Sequence, residues 1–183
     1  ADFLMGKQLT GSRLGILGMG RIGRAVAERA RSFGMIIHYY NRSKLDKSLE
    51  KGAIYHNSLE SLLSLSDFFS INCPATKETK HIINKESLKH FPDGAIISNS
   101  ARGDMIEDDA MIQALQSGKI FSLGLDVYNG EPNIHPGYLT LPNVFVLPHL
   151  GSSTVDTRTA MGNLAVSNLE EFFKTGKCKN MIN

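Results

Sequence analysis

From residue 13 onward, the chain alternates short apolar runs with longer stretches whose apolar residues recur at helical spacing. Short apolar runs bounded by turn residues predict strands, and the amphipathic stretches predict helices. Regular alternation of the two predicts an α/β fold, a doubly wound parallel sheet of Rossmann type with about seven strands and helices on both faces. The predicted strands are 13–17, 35–40, 53–55, 67–72, 94–98, 121–126 and 144–147, and the helices lie near 22–33, 44–51, 58–65, 84–90, 107–117 and 152–174.

Local sequence signals mark several of these helix ends. Gly34 is placed to end the first helix, and Gly118 is placed to end the helix at 107–117. Ser58, three residues before Ser61, is placed to cap the start of the third helix. Residues 1–12 show no complete element.

Three glycines follow the first predicted strand at the spacing G-x-G-x-x-G. In this pattern Gly18 allows a tight turn, Gly20 lets the backbone approach a pyrophosphate, and Gly23 lets the next helix pack closely on the strand. The N-terminal amides and the dipole of that helix would face the phosphates. With a strand before, a helix after and a second strand at 35–40, the pattern predicts a dinucleotide-binding site.

The end of the second strand indicates which dinucleotide is bound. NAD sites usually carry an acidic residue there for the ribose 2′-hydroxyl, whereas this chain has Asn41, Arg42, Ser43 and Lys44 before the first carboxylate, Asp46. A carboxylate about 4 Å from a 2′-phosphate would oppose it by roughly 4 kcal/mol per charge pair. Arginine and a hydroxyl would instead form charge-assisted hydrogen bonds, which predicts NADP. The alternative is that the chain binds NAD, in which case Arg42 is simply solvated and Asn41 accepts a hydrogen bond from the ribose.

Three ionisable residues downstream could form a reaction centre. Each has an ordinary explanation when taken alone: Arg102 as a surface charge, Glu131 as a loop acid and His149 as a residue that ends a strand. Arg102 and His149, however, both follow strands at the sheet edge that carries the glycine turn. Reduction of a carbonyl needs a proton donor such as histidine, a carboxylate would fix the imidazole tautomer, and a guanidinium can bind a substrate carboxylate.

Composition excludes several other classes of function. A formal net charge of +2 with dispersed basic residues does not predict nucleic-acid binding. No apolar run approaches the roughly 20 residues that span a bilayer. Cys73 and Cys178 show no metal-ligand spacing, so we predict no metal site. Two thiols without an export signal predict the reducing cytoplasm, and the absence of a repeat or linker predicts one nucleotide-binding domain over 1–183.

Six motifs, in order and spacing, resemble the D-isomer-specific 2-hydroxyacid dehydrogenase family over residues 5–180. They are Gly18–Gly23, Asn72–Pro74, Ser100–Gly103, Gly124–Val127, Gly130–Pro132 and Leu147–Gly151. Asn41, followed by Arg42 and Ser43, replaces the acidic residue usual in the family after the second strand, which resembles the NADP-preferring glyoxylate/hydroxypyruvate reductase branch. The resemblance implies hydride transfer between NAD(P)H and a small 2-oxo or 2-hydroxy acid such as glyoxylate or hydroxypyruvate. Arg102 would bind the 2-oxo acid, and Glu131 would hold His149, the acid and base. The implied cofactor-binding residues are Gly18, Gly20, Arg21, Ile22, Gly23, Asn41, Arg42, Ser43, Cys73, Pro74, Thr79, Ser100, Ala101, Asp126 and Gly151.

The same resemblance implies a two-domain organisation of the whole protein. Family members carry a separate substrate domain, and this sequence resembles the cofactor-binding half alone, which we expect to bind nucleotide with little or no turnover. The resemblance also implies a homodimer formed through this domain. The alternatives are an NAD-linked phosphoglycerate or D-lactate type dehydrogenase and a nucleotide-sensing corepressor. The sequence does not indicate which 2-oxo acid is used.

Overall fold

The computed structural model describes residues 5–181, which divide into two compact units, 5–148 and 149–181. Residues 5–12 contain no helix or strand, as predicted, and residues 1–4 of that lead-in lie outside the described part. The strands of the first unit are β1 (Arg13–Leu17), β2 (Ile36–Tyr40), β3 (Ile54–His56), β4 (Phe68–Ile71), β5 (Ala95–Asn99), β6 (Ile120–Leu125) and β7 (Val144–Val146). Its helices are α1 (Arg21–Ser32), α2 (Lys47–Glu50), α3 (Leu59–Leu63), α4 (Lys85–His90), α5 (Asp108–Gln116) and α6 (Pro136–Leu139), and the second unit contains α7 (Val155–Thr175).

The strands form one parallel sheet of seven strands in the order β3-β2-β1-β4-β5-β6-β7. Strand β1 pairs with β2 on one side and with β4 on the other. Strands β1 to β3 are therefore added toward one edge of the sheet and β4 to β7 toward the other, so the strand order reverses at β1. In such sheets the crevice at the carboxyl end of the reversal point is the usual ligand site. The predicted doubly wound α/β fold is confirmed.

Two hydrophobic cores cover the two faces of this sheet. Neighbouring side chains of a strand point to opposite faces, and adjacent residues of β1 accordingly belong to different cores. Ile16 packs in one core with Ala27 of α1, whereas Leu17 packs in the other with Leu62 of α3 and Met111 of α5. Complete burial of an aliphatic side chain of this size contributes about 1.5–3 kcal/mol. The cores therefore hold β1, and the turn that follows it, in place from both faces.

The predicted helix ends are confirmed by their geometry. Gly34 and Gly118 have positive φ, at 72° and 77°, and the Ser58 hydroxyl accepts a hydrogen bond from Ser61 N at 3.2 Å. The structure adds two short elements that the pattern did not predict, α6 and a 3-10 helix at Gly103–Met105. Both are shorter than the window over which helical periodicity can be recognised.

A buried pair of histidines joins β2 to β3. His38 Nδ1 lies 2.9 Å from His56 Nε2, and His56 Nδ1 lies 2.8 Å from the Ser61 hydroxyl. Burial lowers the pKa of both imidazoles. The positive charges of His56 and Arg13 lower the pKa of His38 further, while nearby Asp67 opposes this. A neutral pair is therefore part of the folded state.

This pair predicts a loss of stability in acid. Because the folded pKa lies below the ordinary value of 6.5, the unfolded chain binds protons first. The contribution is present above pH 6.5 and is lost as the pH falls through the lowered folded value. Urea unfolding should show a midpoint that falls between neutral pH and about pH 5, less steeply in the double variant His38→Gln/His56→Gln. Exposed His90→Gln is the control, and equal steepness in all three proteins would contradict the prediction.

Candidate functional site

The loops that follow β1, β2 and β4 begin at the same point of the sheet edge. At the end of β1, Gly18 N donates to Tyr40 O of β2 at 3.1 Å. On the other side, Asn72 N after β4 donates to Leu17 O at 2.8 Å. The loops after β1, β2 and β4 therefore start side by side, at the point where the strand order reverses.

A groove of about 490 Å³ lies between these loops. Eight of the residues predicted to contact a cofactor line it: Gly18, Gly20, Asn41, Arg42, Ser43, Cys73, Pro74 and Thr79. The groove is also lined by residues that were not among the predicted contacts, namely Leu17, Tyr40, Asn72, Thr76, Glu78 and Ile82. Each of these stands next to, or within a turn of, a predicted residue, so proximity in the chain is the signal that could have found them.

The three glycines of the turn meet different surroundings. Gly18 has a φ of +93°, and a Cβ there would lie 2.5 Å from Cys73 N. A Cβ on Gly23 would lie 2.2 Å from Gly18 O, which is the close helix-to-strand contact that the pattern predicts. A Cβ on Gly20 would meet no protein atom within 4 Å. Gly20, at the start of α1, thus borders open space that fits a phosphate group against the helix N-terminus.

Asn41 ties the end of β2 to the glycine turn. Its Oδ1 accepts a hydrogen bond from Met19 N at 2.7 Å. The next two side chains, Arg42 and Ser43, are exposed and line the groove. The turn and the loop after β2 are therefore one connected structure that presents a guanidinium and a hydroxyl.

The opposite wall comes from the segment after β4. Thr79 Oγ1 donates to Pro74 O at 2.9 Å and accepts from Thr76 N at 2.7 Å, which closes the turn. A hydrogen bond from the Thr76 side chain, with a smaller contribution from the charge of Arg42, lowers the pKa of Glu78. Burial raises the pKa of the Cys73 thiol to about 11, so this side chain is a neutral part of the wall.

Arg102 follows β5 in a loop that is fixed from beneath. Buried Asn99 donates through Nδ2 to Arg102 O at 2.8 Å and accepts from Ala101 N at 3.0 Å. Ser100 and Arg102 have exposed side chains, and Arg102 Nη1 bonds to Ala101 O at 2.7 Å. A Cβ on Gly103 would lie 1.9 Å from the carbonyl carbon of Tyr128. The loop of Arg102 therefore packs directly on the loop that follows β6.

That second loop carries two further predicted residues. Asp126 comes directly after β6, and its N–H donates to Asn99 O at 3.0 Å. Glu131 accepts a hydrogen bond from Tyr128 N at 3.0 Å through Oε1, and the Tyr128 hydroxyl donates to Leu147 O. The structure thus brings the loops of Arg102 and Glu131 together within the first unit.

The remaining predicted residues have different positions. Arg21 and Ile22 are exposed in the first turn of α1, adjacent to the groove glycines. His149 and Gly151 belong to the second unit, where His149 is exposed and has a φ of +55°. The meeting of His149 with Arg102 and Glu131 accordingly stays a prediction.

Two kinds of feature are absent from the residues that the structure describes. No helix within residues 5–181 is long and apolar enough to cross a membrane. The same part of the chain contains no cluster of three or more His, Cys, Asp or Glu side chains arranged to hold a metal ion.

Comparisons with known proteins agree with this geometry. Residues 1–151 match the family described as D-isomer specific 2-hydroxyacid dehydrogenase, NAD binding domain. Glycerate dehydrogenase of Hyphomicrobium methylovorum is 43% identical over 172 residues, covering 93% of this chain and 53% of the relative. The crystal structure of a glyoxylate reductase from Paecilomyes thermophila has a TM-score of 0.92 and 46% identity, covering 95% of this chain and 53% of that one.

A third relative carries a nucleotide. The NADPH-dependent glyoxylate/hydroxypyruvate reductase of Sinorhizobium meliloti, in complex with NADP and malonate, has a TM-score of 0.88 and 36% identity. The match covers 92% of this chain and 52% of that one. The chain thus spans about half the length of the relatives that it matches. With its seven-stranded sheet, its glycine turn and the match over residues 1–151, the chain belongs to the D-isomer specific 2-hydroxyacid dehydrogenase family, within the NAD-binding domain.

Proposed function

We propose that this chain binds NADPH in preference to NADH, in the groove between the glycine turn and the segment after β4. The observation that carries the proposal is the wall formed by Arg42 and Ser43, where NAD-binding proteins usually place a carboxylate. A 2′-phosphate beside that guanidinium gains charge-assisted hydrogen bonds. The Sinorhizobium meliloti reductase, whose structure was determined with NADP, supports the same choice.

The position of Asn41 also favours NADP over the NAD alternative. That alternative needs Asn41 to accept a hydrogen bond from the ribose 2′-hydroxyl. Its Oδ1 already accepts from Met19 N at 2.7 Å, which occupies one of its two acceptor sites. Asn41 thus holds the turn whether or not it also contacts the ribose, and the contact specific to NADP is left to Arg42 and Ser43.

Arg42→Ala is expected to weaken NADPH binding about tenfold to a hundredfold, the usual range for a hydrogen bond to a charged group. NADH, which lacks the 2′-phosphate, should change by no more than about twofold. Titration of nucleotide fluorescence with this chain measures both affinities. The matched control is Arg29→Ala, an exposed arginine in the last turn of α1. Equal losses for NADPH and NADH in Arg42→Ala would contradict the proposed preference.

We also propose that the protein containing this chain reduces small 2-oxo acids such as glyoxylate or hydroxypyruvate. When bound, the nicotinamide supplies the hydride that reduces the ketone carbon. The Arg102 guanidinium binds the substrate carboxylate through two parallel hydrogen bonds. His149 donates a proton to the ketone oxygen and removes it in the reverse reaction, and Glu131 holds the imidazole in the required tautomer. The fixed loop of Arg102 and its packing against the Glu131 loop support this assignment.

Since the chain covers about half of its relatives, we propose that turnover requires a separate substrate domain, and that this chain alone binds nucleotide. A homodimer through this domain and a cytoplasmic location, consistent with the free thiols of Cys73 and Cys178, belong to the same proposal. An NAD-linked dehydrogenase is the alternative, and the Arg42→Ala comparison separates the two.

A further inference from the structure

The segment that carries Arg42 and Ser43 is held at both ends. At its start, the Asn41 side chain accepts from Met19 N at 2.7 Å. At its end, Leu45 N donates to the Tyr39 hydroxyl at 3.0 Å. Only the residues 42–44 lie between these anchors, and all three have exposed side chains. The backbone is therefore fixed while the groups that would meet a phosphate remain accessible.

Tyr39 is itself fixed by a buried acid. Its ring is completely buried in β2, and its hydroxyl donates to Glu50 Oε1 at 2.6 Å. Burial, followed by the hydrogen bond to Glu50, raises the pKa of Tyr39 to about 12, so the hydroxyl keeps its proton. The hydroxyl donates its hydrogen bond to Glu50, and a lone pair of the same oxygen accepts a hydrogen bond from Leu45 N.

Glu50 is also held in position. Only 7% of the residue is exposed, at the end of α2. Its backbone carbonyl accepts from Arg31 of α1 at 2.8 Å. The ammonium of Lys44 lies 3.9 Å from Glu50 Oε1, at the outer limit of an ion pair. The chain Glu50–Tyr39–Leu45 thus connects a buried carboxylate to the loop after β2 through two short hydrogen bonds.

We propose that Tyr39, fixed by Glu50, is a positioning residue that sets the 42–44 segment for recognition of the 2′-phosphate of NADPH. The inference rests on the proposed preference for NADPH. An arginine on a segment fixed at both ends loses less conformational entropy when it binds a phosphate than one on a free loop. Neither Tyr39 nor Glu50 lines the groove, so their effect on the nucleotide passes through Arg42 and Ser43.

Tyr39→Phe tests this with a minimal change, because the ring stays and only the hydroxyl is lost. Leu45 N then loses its acceptor, and buried Glu50 loses its donor. We expect NADPH to bind about tenfold more weakly, and NADH to change by no more than about twofold. In the Arg42→Ala background, Tyr39→Phe should have a much smaller selective effect on NADPH, because Ser43 is then the remaining proposed phosphate contact on the segment.

Two controls separate positioning from a general loss of stability. Tyr138→Phe removes another buried tyrosine–carboxylate hydrogen bond, 2.9 Å to Asp108 in α5, and should leave the ratio of the two affinities unchanged. Glu50→Gln keeps an oxygen that can accept from the Tyr39 hydroxyl, so NADPH affinity should remain within about threefold of the parent chain. If Tyr39→Phe is too unstable to titrate, Glu50→Leu, which removes the acceptor, should show the same selective loss.

The outcomes distinguish this inference from the proposal beneath it. If Arg42→Ala weakens both nucleotides equally, the NADPH preference is wrong and the inference falls with it. If Arg42→Ala weakens the binding of NADPH alone, but Tyr39→Phe weakens the binding of both nucleotides equally or of neither, only the positioning role is overturned. A selective loss in Tyr39→Phe that is much smaller in the Arg42→Ala background supports the positioning role, and a selective loss of the same size in both backgrounds overturns it.

Discussion

Gly18→Ala is expected to destabilise the chain by about 3 kcal/mol or more. Two penalties combine at this position. The backbone has a φ of +93°, which alanine rarely adopts, and the new Cβ would lie 2.5 Å from Cys73 N and 2.7 Å from Cys73 Cα. Both neighbours are backbone atoms next to β4, so they cannot move aside as a flexible side chain could. Urea or thermal unfolding measures the change, which is a large share of the roughly 5–15 kcal/mol available to a domain.

The matched control is Gly20→Ala, two residues further along the same turn. Its φ of −73° suits alanine, and its Cβ meets no protein atom within 4 Å. Stability should therefore change by less than about 0.5 kcal/mol. If the open space at Gly20 receives the pyrophosphate, binding of NADPH and of NADH should fall together. Equal stability of the Gly18→Ala protein and the parent would show that the turn is not as tight as described.

His149→Ala is expected to reduce turnover about a hundredfold to ten-thousandfold, the usual contribution of a general acid or base. Nucleotide affinity should stay within about twofold, because the contacts proposed for the phosphates and the ribose belong to the first unit. The assay follows NADPH oxidation with glyoxylate or hydroxypyruvate, in a protein that joins this chain to the substrate domain implied by the family resemblance. Turnover at the parent rate would contradict the assignment of His149.

Two further variants make the His149 result specific. The φ of His149 is +55°, a conformation that asparagine tolerates better than alanine. His149→Asn therefore removes the proton donor with less backbone strain, and it should lose turnover as His149→Ala does. His90→Ala replaces an exposed histidine at the end of α4 and should keep full turnover.

The glycine turn shows why so much of the fold could be predicted from the sequence. Gly18 has the positive φ that a tight turn requires, and Gly23 closely approaches Gly18 O in the same turn, so local spacing carries this part of the information. The close approach of Gly18 to Cys73 N, in contrast, depends on a distant part of the chain. The strands could be predicted because buried parallel strands are short, nearly continuous apolar runs. Arg42 could be proposed as a nucleotide contact because it is the second residue after β2, and the end of the second strand in this type of fold usually lies near the ribose.

The contacts that could not be predicted depend on register and on distant partners. The contact between His38 and His56 depends on the register of β2 against β3, in which His38 pairs with Ile54 and Tyr40 with His56. No local sequence pattern specifies that register. The hydrogen bond from Tyr39 to Glu50 likewise depends on how α2 packs after the loop. The short helix α6 begins at Pro136, with the His135 side chain as its cap, in a segment that has the composition of a loop.

Amide hydrogen exchange of this chain with and without NADPH tests whether the groove is the nucleotide site. NADPH is expected to slow exchange in three segments, 18–24, 41–45 and 72–79, which meet at the carboxyl edge of β1, β2 and β4. When NADH replaces NADPH, the protection of amides in segment 41–45 should be smaller. Protection confined to other parts of the chain, or no change at saturating nucleotide, would show that this groove is not the nucleotide site.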